Sequence, residues 1–108
     1  MRGVLSVSLA ACGLAMTIAT ASAAGDPNAV SGLLAEKCAN CHEIPGYEAR
    51  WGRADVNAPP FERIAKDPAA YPPEQLRAFL QKPHWPMGQF ILSPSDIDNV
   101  MAFIDGLR

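Results

Sequence analysis

The sequence predicts an all-α fold, and three observations carry that prediction. Apolar residues recur at spacings of three and four in the segments following Pro27, Pro73 and Pro94. No segment shows the apolar–polar alternation of a half-buried strand, and no internal repeat is present. Prolines, several with a capping residue before them, punctuate the chain where helices would start or stop.

The first two dozen of the 108 residues are expected to lie outside that fold. Arg2 supplies a short positive start, Gly3 to Thr20 is apolar with many small residues, and Ala21-Ser22-Ala23 fits a signal-peptidase cleavage pattern. Residues 1–23 therefore read as a cleaved secretory signal, and 24–108 as one small domain. Small residues interrupt the apolar run too often for a membrane anchor to be the better reading. Leu9-Ala10-Ala11-Cys12-Gly13 resembles a lipoprotein box, which would make Cys12 an acylated N-terminus. The apolar stretch before Cys12 is short and continues beyond it, which favours cleavage near Ala23.

In the domain itself, Asp26 can cap a helix that has Pro27 at its first position. Val30, Leu33, Leu34 and Lys37 follow at helical spacing, so that this helix runs to Cys38. Gly32 lowers its stability and serves either a close helix approach or nothing in particular. From Glu43 to Ala58 no period is evident, and Ile44-Pro45-Gly46-Tyr47 is a turn signal. A short helix is expected over Phe61 to Lys66, after Ala58-Pro59-Pro60. Another starts at Pro72-Pro73-Glu74, carries Leu76, Phe79 and Leu80 on its apolar stripe, and stops at Pro83. The last helix is the best marked. Ser93-Pro94-Ser95-Asp96 combines a cap, a proline at the first position and an acid that can return the cap, and Ile97, Val100, Met101 and Ile104 then share one face.

The chemistry centres on Cys38-Ala39-Asn40-Cys41-His42. Two thiols at this spacing lie about one helical turn apart, near enough to add to both vinyl groups of one haem, and the adjacent His42 then faces the iron. The competing readings are a redox dithiol and half of a zinc site. A structural zinc needs four ligands, and beyond this motif the mature chain adds only His84. A thioredoxin-like dithiol would sit in a βαβ pattern, which is missing. Haem c, attached through Cys38 and Cys41, is the expected cofactor, and this attachment chemistry places the chain in the bacterial periplasm.

A backbone carbonyl at Pro59 or Pro60 is positioned in sequence to accept from Nδ1 of His42 and so fix its tautomer. Buried propionates would call for donors, and Arg50, Trp51 and Arg53 are the candidates in the irregular segment. For the second axial position the mature chain offers Met87, Met101 and His84. Met101 falls on the apolar stripe of the last helix, where methionine is usually core filler. Met87 lies in His84-Trp85-Pro86-Met87-Gly88, a stiff non-helical loop suited to holding a thioether against a flat cofactor, and is the expected ligand.

Taken together, these segments resemble the small class I cytochromes c of proteobacteria, over the whole mature region. The resemblance rests on Cys38-x-x-Cys41-His42, Ala58-Pro59-Pro60-Phe61, the His84-x-x-Met87 loop and the final helix with Val100, Phe103 and Leu107. It implies about three to five helices wrapped around one covalently bound haem, with thioethers at Cys38 and Cys41, axial His42 and Met87, and a Pro59 or Pro60 carbonyl on His42. Gly88 stands where relatives often have proline, and Phe103 where they often have tyrosine.

Electron transfer is the function this reading implies, without enzymatic turnover. The expected partners are a periplasmic dehydrogenase as donor and an oxidase or reductase as acceptor, met by a monomer or a subunit of a redox complex. The alternative is a ligand-binding or peroxidase-like haem protein with a labile sixth position. A formal net charge of -2 and the lack of any basic run argue against nucleic acid as a partner. At about 85 residues after cleavage, side chains alone give a marginal core, and a porphyrin would add apolar mass.

Overall fold

The computed structural model describes residues 3, 10–16, 25–83, 85 and 87–108. The expected cleavage motif, most of the signal segment, His84 and Pro86 lie outside the described residues. Among those described, no helix is long and apolar enough to cross a membrane.

The chain is all-α. Its helices are α1 (Ser31–Leu33), which runs straight into a π-helical turn (Leu34–Cys38), then α2 (Phe61–Lys66), α3 (Pro73–Gln81) and α4 (Pro94–Asp105). No strand occurs among the described residues, only an isolated bridge between Ile44 and Tyr47.

α4 organises the packing. Its N-terminus is the expected capping box: the Asp96 N–H donates to Ser93 Oγ at 3.0 Å, and the Ser93 N–H donates to Asp96 Oδ2 at 3.0 Å. Ile97, Val100 and Ile104 are buried on its inner face, which packs on α2 and α3. An Arg77–Asp98 ion pair of 2.6 Å joins α3 to α4, and Arg108 Nη1 donates to the Ala65 carbonyl in the last turn of α2 at 3.0 Å. α2 and α3 have the bounds the sequence suggests, contributing Phe61, Ile64, Ala65 and Leu80 to the core.

The first helix departs from expectation. Asp26 caps only a turn: its Oδ1 accepts from the Asn28 N–H at 2.9 Å, its carbonyl accepts from the Ala29 N–H at 3.2 Å, and regular helix begins at Ser31. A long-range contact overrides the local signal. The Asp26 N–H donates to Asn99 Oδ1 on α4 at 2.8 Å, and a Cβ on Gly25 would overlap the Asp98 carbonyl. The close approach therefore falls at Gly25. Gly32 is an ordinary exposed position, with nothing within 4 Å of a built Cβ.

The π turn is the second departure. The Ala39 N–H reaches back five residues to the Leu34 carbonyl at 2.8 Å. With that wider turn Ala39 joins Val30 and Leu34 inside, at 0%, 2% and 0% exposure respectively, while Lys37 faces solvent instead of continuing the apolar face.

Gly25→Ala tests the contact between chain start and α4. The segment can lift away, so the expected cost is about 1 kcal/mol, the worth of the Asp26–Asn99 hydrogen bond and its packing. Urea unfolding of the holoprotein measures it; an unchanged midpoint contradicts the contact.

Candidate haem site

Cys38 ends the π turn, and its carbonyl accepts from the Cys41 N–H at 3.2 Å and the His42 N–H at 2.9 Å. Backbone bonds thus form the turn and leave both sulfurs uncommitted. Cys38 and Cys41 are free thiols, each half-buried. Two further backbone bonds fasten this turn to the irregular segment: the Ala54 N–H donates to the Asn40 carbonyl at 2.7 Å, and the Phe61 N–H to the Glu43 carbonyl at 2.9 Å.

His42 is fixed by Pro59. Its Nδ1 lies 2.6 Å from the Pro59 carbonyl oxygen. A carbonyl only accepts, so Nδ1 carries the proton and Nε2 presents its lone pair, the arrangement a metal-binding imidazole needs. The Pro60 carbonyl is committed elsewhere, accepting from the Ile64 N–H at 3.2 Å to start α2. Phe61 meets the imidazole edge-on, with ring centroids 5.1 Å apart. Phe103 stands 6.3 Å from Phe61 and 5.8 Å from Tyr47, extending the aromatic wall.

Electrostatics agree with this chemistry. Burial lowers the His42 pKa, against an upward pull from the Pro59 hydrogen bond, so the ring is neutral at physiological pH. Burial first, and then the neighbouring Cys41, pushes the Cys38 thiol up to about 11. A neutral Cys38 thiol and a neutral, oriented imidazole therefore sit on one turn.

The remaining predicted residues are dispersed. Met87 is half-buried against the core, in a non-helical bend closed by the Phe90 N–H donating to the Met87 carbonyl at 2.9 Å. Met101 is half-buried against the core from within α4. Arg50 and Trp51 stack on each other at the surface, 5.4 Å from guanidinium carbon to ring centroid, and Trp51 is 85% exposed. Arg53 is exposed beside Glu43, Tyr47 and Glu48 on an open recess. Sequence reading assigned Phe61 only to a helix face and gave Tyr47 no role. The signal for Phe61 was its position directly after the proline pair.

Among the described residues no three Cys, His, Asp or Glu side chains group to hold a metal ion. Cytochrome c-552 of Bradyrhizobium diazoefficiens is 31% identical to this chain over 101 residues, spanning 89% of the chain and 93% of that protein. The chain belongs to the c-type cytochromes. No protein-family model matches it, and no solved structure does. The family implies haem c, and the residues of the turn fit such a group: two uncommitted thiols two residues apart, and beside them an imidazole whose Nε2 is free to ligate.

Proposed function

We propose that this c-type cytochrome is a periplasmic monohaem protein of the class I kind that passes single electrons between redox proteins. The observation that carries the reading is the Nδ1 contact of His42 to Pro59 at 2.6 Å, next to two free half-buried thiols. Haem c, when bound, supplies an iron that gains and loses one electron. Cys38 and Cys41 hold it by thioether bonds. His42 ligates through Nε2, with Pro59 keeping the ring in the ligating tautomer and Phe61 fixing its plane.

Met87 is the sixth ligand. It comes from a loop at the edge of the core, and a thioether opposite an imidazole raises the reduction potential. At least one of Arg50, Arg53 and the Trp51 indole, all in the exposed 50–53 segment, would serve as a donor to the propionates. With His42 and Met87 both holding the iron, no position on it would be left for a substrate, so the protein would serve as a carrier and not an enzyme. A donor dehydrogenase and an acceptor oxidase or reductase meet it through small, brief interfaces. Export by a signal cut near Ala23 delivers the chain to the compartment where haem is attached.

The test is an intact mass of protein purified from the periplasm and denatured in acidic organic solvent, followed by a redox titration. The expected results are a chain starting near Ala24 that retains one haem, and one reversible one-electron wave. Haem lost to the solvent, or catalytic turnover of peroxide, contradicts the proposal.

A further inference from the structure

The Met87 bend lies in the stretch between Pro83 and Ser93, where the described residues form no helix. What fastens it matters, because a ligand on a loosely held loop is easily displaced. Phe90 provides one fastening. Its N–H closes the bend on the Met87 carbonyl at 2.9 Å, and its half-buried ring lies under the Lys37 ammonium, 5.9 Å from the centroid. Lys37 is the residue immediately before Cys38, and the π turn is what carries it out of the core. Among the described residues no carboxylate pairs with Lys37, so its charge is directed at the ring and not neutralised by an acid.

We propose that Lys37 and Phe90 form a latch that ties the Met87 loop to the haem-attachment turn and sets how readily the sixth position yields to an external ligand. The inference rests on Met87 being that ligand. An ammonium over an aromatic face is favourable in either redox state, so the latch acts on loop opening and not on the iron. External ligand must wait for the loop to lift, and its apparent affinity is reduced by the fraction of time the loop stays closed. Lys37 is a positioning residue.

The experiment measures imidazole affinity of the oxidised holoprotein by absorbance. Imidazole is suitable because its neutral form is little affected by a changed surface charge. Lys37→Met keeps the apolar stem and removes the charge; Lys37→Arg keeps a cation that can lie over the ring. Lys66→Met, on the exposed Lys66–Glu62 pair of α2, makes the same change in net charge away from the latch. Lys37→Met is expected to bind imidazole about two- to fivefold more tightly than the parent, as an exposed cation–π contact warrants, while Lys37→Arg and Lys66→Met stay near the parent value. Phe90→Leu should also tighten binding, and adding Lys37→Met to it should give no further gain.

Equal affinity in Lys37→Met and the parent, or full additivity of Lys37→Met with Phe90→Leu, overturns the latch. The parent's far-red sulfur-to-iron band, recorded first, separates the two levels of the argument. Its presence keeps Met87 ligation standing even if the latch fails, and its absence removes both.

Discussion

Met87→Ala is expected to keep haem covalently attached and to open the iron to external ligands. On the proposed function the thioethers come from Cys38 and Cys41, whose turn is closed by backbone bonds onto the Cys38 carbonyl, so nothing in attachment would depend on Met87. Loss of the sulfur removes the far-red band, lets the reduced protein bind carbon monoxide, and lowers the potential by on the order of 0.1 V or more, against the ~0.8 V span that axial ligands cover. Met101→Leu is the control. That side chain packs against the core from α4, and a swap of similar volume there should leave both spectrum and potential in place. A Met87→Ala iron that stays low-spin and refuses carbon monoxide would move the ligand to Met101 or His84.

Cys41→Ala is expected to cut the yield of stable holoprotein by about tenfold or more, since one of the two covalent bonds is lost and haem binding is coupled to folding. The effect is chemical and not conformational. Cys41 enters the turn through its backbone N–H, which alanine keeps, while its sulfur has no bond in the chain. Haem yield and intact mass measure the change. Stable holoprotein at parental yield would contradict the role of this motif.

How much of this was legible in the sequence follows the distance over which each feature is decided. α4 was readable because Ser93 and Asp96 complete each other's hydrogen bonds within one turn. The turn that carries Cys38, Cys41 and His42 was locatable because the proposed haem chemistry would need five consecutive residues. The start of the first helix was not, since the Asp26 N–H is claimed by Asn99, which lies 73 residues away. Nor was the π turn: helical spacing put Lys37 on the apolar face, and only the bond from Ala39 to Leu34 turns it outward.

Within the site, the sequence left Pro59 and Pro60 as equal acceptors for His42. The α2 helix decides between them by occupying the Pro60 carbonyl through Ile64. The wall of Phe61, Phe103 and Tyr47 unites residues from α2, α4 and a turn that Gly46 makes possible at φ 83°, a juxtaposition with no local signature. The cation over Phe90 has the same origin, joining the attachment turn to a loop far along the chain.

The measurement that bears most directly on the central claim is the absorption spectrum of the purified mature protein, oxidised and then reduced, with carbon monoxide added to the reduced sample. His42 and Met87 on the iron predict a c-type reduced spectrum, a far-red band in the oxidised state and no response to carbon monoxide. A clear shift on adding carbon monoxide, with no far-red band, would contradict the electron-carrier account and make a ligand-binding haem the function to pursue.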